Sequence, residues 1–142
     1  MFEKILVPVD LTEKNRRAVQ QARDLATPAD SEIALLHVIE ELEDASFEEL
    51  EGFYTRLEEK AHRELAALAR IVDEAGVAVR TEVVYGRRVR EILRFAEEHG
   101  SDLVVLGSHA IDREHATEGW ATVSYQVAIL ARCTVMLVKG AS

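Results

Sequence analysis

At 142 residues, 48% apolar and 30% charged, the chain has the size and core content of one stable, soluble globular domain, expected to span 1–142. A formal net charge of −9 argues against nucleic acid as a partner, because a polyanion is repelled on average, and a lone cysteine, Cys133, excludes an internal disulfide framework. No apolar stretch approaches the about 18 residues that span a bilayer, and Met1-Phe-Glu-Lys4 puts an acid where a signal peptide has basic residues, so the expectation is a cytoplasmic protein with no membrane insertion.

In chain order, the first apolar, β-branched run is Lys4 to Val9, with Pro8 placed near its end because proline has no N–H to give a central ladder. Thr12 to Ala26 follows with Ala18, Val19, Ala22, Leu25 and Ala26 on one helical face and Thr12 as its expected N-cap. A second strand is expected over Glu32 to Val38. Acid then clusters in Glu40 to Asp44 and Glu48 to Glu51, read first as solvated surface and second as a docking stripe. Ser46 to Glu74 carries Phe47, Leu50, Tyr54, Leu57, Ala61, Leu65 and Leu68 at spacings of three and four, a long amphipathic helix. Val77 to Tyr85 is mixed in polarity and reads as an edge strand. Helix-period segments at Arg87 to Glu98 and Trp120 to Ala131 bracket a strand at Asp102 to Leu106, and Cys133 to Lys139 closes the series.

Strict β-α alternation of this kind predicts an α/β fold: an open, parallel, five-stranded sheet with helices on both faces. Ligands of such sheets bind beyond the carboxyl ends of the strands, where the strand order reverses. Two strand exits carry distinctive chemistry, Asp10-Leu-Thr12 after the first and Gly107-Ser-His109 after the fourth. The carboxylate suits ribose hydroxyls or an adenine amine, and a glycine turn leading to a helix start near Ala121-Thr122 suits phosphates.

Ile5-Leu-Val-Pro-Val-Asp10, Leu36-His-Val38, Asp102-Leu-Val-Val-Leu-Gly-Ser-His109 and Val123-Ser-Tyr-Gln-Val127 before Cys133-Thr-Val-Met-Leu-Val138 together resemble the universal stress protein family over almost the whole chain. The resemblance implies sheet order 3-2-1-4-5, of the adenine nucleotide alpha hydrolase-like kind, and a homodimer paired through the C-terminal strand. It implies a role in stress tolerance or in the control of an unidentified protein partner. Family members divide into those that bind ATP or a related adenine nucleotide and those that do not. Binders carry Gly-x-x-Gly, nine residues, then Gly-Ser or Gly-Thr. Here the first glycine is Gly107, while Ala110 and Ala121 stand at the second and third, and the spacer is one residue longer. Alanine adds a Cβ where backbone must approach phosphate, and Asp112, Glu114 and Glu118 add negative charge that Arg113, His109 and His115 offset in part. Carried over residue by residue, the binding positions are Asp10, Val38, Gly107, His109, Ala110, Ala121, Thr122, Val123 and Ser124, with no cofactor required.

The expected function is therefore a non-catalytic regulatory binder with a weak or altered site for ATP or AMP. The alternatives are a nucleotide-free scaffold acting through dimer and partner contacts, an ATP-cleaving enzyme on the same fold, and a signalling receiver domain. Ser108 and Ser124 have no triad motif, Asp10-Leu-Thr-Glu-Lys-Asn15 has no catalytic signature, and Tyr85-Gly86 stands where a receiver carries its phospho-acceptor acid. Bland readings stand beside these: Asp10 as a helix cap with Thr12, His37 as a satisfied sheet residue, His62 and His99 as surface residues, Cys133 as a small core residue, Trp120 and Tyr125 as packing. His109, Asp112 and His115 are the nearest thing to a metal cluster, and no metal is expected there.

Overall fold

The three central strands are buried on both sides because their residues alternate between two apolar layers. Ile5, Val7, Val9, Ile33, Leu35, Leu103 and Val105 face one layer; Leu6, Ala34, Leu36, Val38, Val104 and Leu106 face the other. The computed structural model describes residues 1–41, 47–108 and 122–139. Its elements are β1 (Lys4–Pro8), α1 (Lys14–Leu25), β2 (Glu32–Ile39), α2 (Phe47–Asp73), β3 (Ala78–Tyr85), α3 (Arg88–Glu98), β4 (Leu103–Ser108), α4 (Val123–Leu130) and β5 (Thr134–Lys139). The sheet is parallel in the order β3-β2-β1-β4-β5, as expected. Residues of α1 and α2 fill the first layer and those of α3 and α4 the second.

Differences from the sequence reading lie at the ends of elements. β4 runs two residues further, to Ser108, because Leu106, Gly107 and Ser108 keep pairing with Leu137, Val138 and Lys139 of β5. β3 is an edge strand, and β5 is the other edge. Pro8 closes β1 in register with Leu36, and Val9 then donates to the Leu36 carbonyl at 2.8 Å, so the strand's exit stays tied to β2. Thr12 does not cap α1. Glu13 occupies that position without a side-chain hydrogen bond, because the Thr12 hydroxyl is turned to Asp10 instead.

Between β1 and β4, pairing among the described residues covers only Ile5–Leu103 and Leu6–Val104. Beyond these pairs the ladder between the two central strands stops, while β1 goes on pairing with β2 to Pro8 and β4 with β5 to Ser108. The end of that ladder marks where the reversal of strand order calls for a crevice. Among the described residues no helix is long and apolar enough to cross a membrane.

Candidate functional site

One wall of the crevice is the turn from β1 into α1. Leu11 adopts φ 65°, a left-handed conformation that a leucine enters at a cost of roughly 1–3 kcal/mol. What holds it is Asp10. Its Oδ1 accepts from the Thr12 backbone N–H at 3.0 Å, the Thr12 hydroxyl at 2.6 Å and the Asn15 side-chain amide at 2.7 Å. Its Oδ2 pairs with Lys14 Nζ at 2.9 Å. Burial alone would raise the Asp10 pKa, but the bonds from Thr12, Lys14 and Asn15 outweigh it and bring the carboxyl down to about 2. Asp10 is thus ionised at neutral pH and its Oδ1 is fully engaged within the chain. Of the two readings of Asp10, the structural one is seen in these bonds: with Thr12, Lys14 and Asn15 it builds the start of α1.

Asn15 is the member that sequence reasoning missed. It is 2% exposed, and its amide also donates to the Thr12 carbonyl at 2.9 Å. Lys14 was missed too, although an acid followed four residues later by a lysine at a helix start was a usable signal.

The other wall is the end of β4 and the start of α4. Gly107 does not have a positive φ; its missing Cβ serves proximity. A Cβ there would lie 3.1 Å from the Lys14 carbonyl oxygen and 3.2 Å from Lys14 Cγ. Within the chain, the missing Cβ lets β4 and the first turn of α1 touch. Ser124, 8% exposed, donates its hydroxyl to the Gly107 carbonyl at 3.0 Å and so fixes α4 against β4. Thr122 caps α4, accepting from the Tyr125 N–H at 3.4 Å. Val123 is half-buried against the second layer, and Val38, 4% exposed, belongs to that layer on β2. The structure therefore brings Asp10 and Gly107 together through Lys14, and Gly107 and Ser124 together directly. His109, Ala110 and Ala121, with Trp120 and the Asp112–His115 pair, lie outside the described residues.

The remaining candidates have structural partners. His37 Nδ1 lies 2.7 Å from the Val9 carbonyl, so that nitrogen carries the proton, as expected of a satisfied sheet histidine. His62 is exposed. His99 is not a plain surface residue: its ring stacks on Phe95 at 3.9 Å, and Nδ1 reaches the Phe95 carbonyl at 3.1 Å. Tyr125 accepts from Lys139 Nζ at 3.1 Å at the edge of the crevice. Cys133 is half-buried, and burial pushes its thiol pKa up. Among the described residues no cluster of His, Cys, Asp and Glu could hold a metal. Two depressions, about 420 Å³ beside Lys4, Arg80 and His99 and about 230 Å³ beside Leu93, Ala131 and Cys133, lie at the opposite end of the sheet. Arg80 in the first is already paired with Glu82 at 2.9 Å. Their size does not outweigh the chemistry of the crevice, which sits at the strand-order reversal.

Known proteins match this chain along its length. The universal stress protein family model matches residues 1–139. The universal stress protein YxiE of Bacillus subtilis is 30% identical over 151 aligned positions, covering 98% of this chain and all of that protein. The universal stress protein MJ0577 of Methanocaldococcus jannaschii is 29% identical over 126 positions, 77% of this chain and 78% of its own; its solved structure superposes with a TM-score of 0.84 over 100% of this chain and 99% of that one. A universal stress protein from Archaeoglobus fulgidus, solved in complex with dAMP, shares the fold at 17% identity, with a TM-score of 0.70 over 96% of this chain and 98% of its own. By family model, sequence and fold together, this chain belongs to the universal stress protein family.

Proposed function

We propose that the chain works as one domain and as a homodimer, in the cytoplasm, as a non-catalytic regulatory binder of an adenine nucleotide, with AMP or adenosine held at least as well as ATP. The observation that carries this is the end of the β1–β4 ladder after Leu6 and Val104, at the reversal of strand order, with ionised Asp10 on one side and the Gly107–Ser124 bond on the other. Asp10, Val38, Gly107, Thr122, Val123 and Ser124 form the site on the described side, and His109, Ala110 and Ala121 continue it in sequence. A weak triphosphate grip follows from Ala110 and Ala121, where binders carry glycine, and the dAMP held by the Archaeoglobus relative is a monophosphate. A non-catalytic role is supported by the Ser124 hydroxyl, whose proton is spent on a backbone carbonyl rather than offered to a base.

Mass spectrometry of the purified protein under denaturing conditions is expected to release an adenine nucleotide, and titration to show AMP or adenosine binding no more weakly than ATP. Nanomolar, Mg-dependent ATP binding sinks the reading. The second reading, a nucleotide-free scaffold, is favoured by one observation, the saturation of Asp10 Oδ1 by Thr12 and Asn15. It takes over if no nucleotide is released and none titrates.

The homodimer reading rests on β5. Its outer edge has no strand neighbour among the described residues, and Val135 and Leu137 are only half-buried on it. Ile129 and Leu130 nearby are 76% and 58% exposed. An unpaired apolar edge invites a second strand. Val135→Asp or Leu137→Asp is expected to shift sedimentation toward monomer; a wild-type protein already monomeric at micromolar concentration overturns the pairing.

A further inference from the structure

We infer that Lys139 is the phosphate-selecting residue of the site: its ammonium, held on Tyr125 at the end of β5, receives the phosphate of an adenine nucleoside monophosphate and sets the preference for phosphorylated over unphosphorylated ligand. The inference rests on the nucleotide reading above and adds the residue that reads the ligand's charge.

Two separate neighbours put Lys139 on the phosphate side. In the β4–β5 ladder it is the partner of Ser108, the residue after Gly107. Its Nζ donates to the Tyr125 hydroxyl at 3.1 Å and lies 5.3 Å from the centre of that ring. Tyr125 in turn follows Ser124, whose hydroxyl fixes α4 to the Gly107 carbonyl. The sheet order sets β4 between β1 and β5, so Lys139 and Asp10 stand on opposite sides of the β4 exit. Base and ribose keep the Asp10 side, and a phosphate carried over the end of β4 moves toward the ammonium.

This cation has donors to give. An ammonium carries three, and one goes to Tyr125. Lys139 is exposed, and among the described residues no carboxylate lies within 4.0 Å of its Nζ. A hydroxyl and a ring face orient the charge without neutralising it, as a carboxylate would. The first turn of α4 adds its partial positive charge. In the sequence between β4 and α4 the acids Asp112, Glu114 and Glu118 outnumber Arg113, and Lys139 supplies a cation from another element. A single ammonium serves one phosphate group and asks for no glycine at Ala110 or Ala121, so the contact suits a monophosphate. Tyr125 is then a positioning residue, whose part is to hold the ammonium beside α4.

The test titrates AMP and adenosine against the full chain: wild type, Lys139→Met and Lys139→Arg. Wild type is expected to prefer AMP. Lys139→Met is expected to lower the AMP-to-adenosine affinity ratio by about fivefold, the effect of one charge-assisted bond on an exposed side chain. Lys139→Arg, which keeps the charge, is expected to retain most of the ratio. The ratio cancels any general damage to the fold. An unchanged ratio in Lys139→Met overturns the inference, as does an arginine variant as low as the methionine one, or a wild type that binds both ligands equally. A wild type that binds neither overturns the nucleotide reading itself, a separate outcome. Salt gives a measurement that needs no variant: the wild-type preference is expected to shrink as ionic strength rises, and a preference indifferent to salt overturns the assignment.

Discussion

Asn15→Ala is expected to cost about 2–3 kcal/mol of folding stability at neutral pH, measured by urea unfolding. Two bonds are lost, one of them to an ionised carboxylate at 2.7 Å, from a residue that is 2% exposed. Alanine's better helix propensity returns only about half a kcal/mol, too little to change the sign. The loss also removes support from Leu11, whose left-handed φ persists only while its surroundings impose it. The pH dependence identifies the cause. Asp10 titrates near 2 in the fold against 3.8 ordinarily, so its contribution is fully present above pH 3.8 and is lost as pH falls through about 2. The variant, with one donor fewer, has less of that contribution to lose. The gap between wild type and variant is therefore widest above pH 3.8 and narrows toward pH 2. A gap constant across that window would mean Asn15 acts without the Asp10 carboxylate, through packing and its bond to the Thr12 carbonyl.

Much of the fold was legible because its signals are local. Ile5-Leu-Val7, Ile33-Ala-Leu-Leu36 and Leu103-Val-Val-Leu106 are apolar on both faces, as only strands buried on both sides need be. Pro8 marked the end of β1 for a reason visible in its own chemistry. The misreadings share a different trait. Thr12 has a hydroxyl that can accept as a cap or donate to an acid, and a string of letters does not say which; the short distance from Asp10 and the turn at Leu11 decide for donation. His99 was read as surface, though Phe95 four residues earlier was the available warning. At Gly107 the sequence shows a glycine at a strand exit; that its missing Cβ also admits Lys14, on a helix far away in the chain, is a contact no spacing rule reaches.

Gly107→Val is accordingly expected to destabilise the chain by about 2–3 kcal/mol, lowering Tm by roughly 10 °C, with Gly107→Ala milder. The added Cβ meets a backbone carbonyl at 3.1 Å, and that carbonyl belongs to the first turn of α1, which cannot rotate away as a side-chain tip can. The nearby Cγ of Lys14 can move, so the alanine variant has partial relief and the valine variant, with two more carbons, has less. Valine's strand preference offsets at most about 1 kcal/mol. Since Gly107 does not have a positive φ, backbone strain adds nothing to the cost. A glycine present only to admit phosphate makes the opposite prediction: stability unchanged and nucleotide affinity alone reduced. A double-mutant cycle with Lys14→Ala separates the two. Removing Cγ takes away one of the two close contacts and leaves the carbonyl, so the packing account requires part of the Gly107→Ala cost to be recovered in the double variant. Strict additivity would return Gly107 to the phosphate and leave the approach of β4 to α1 without a role.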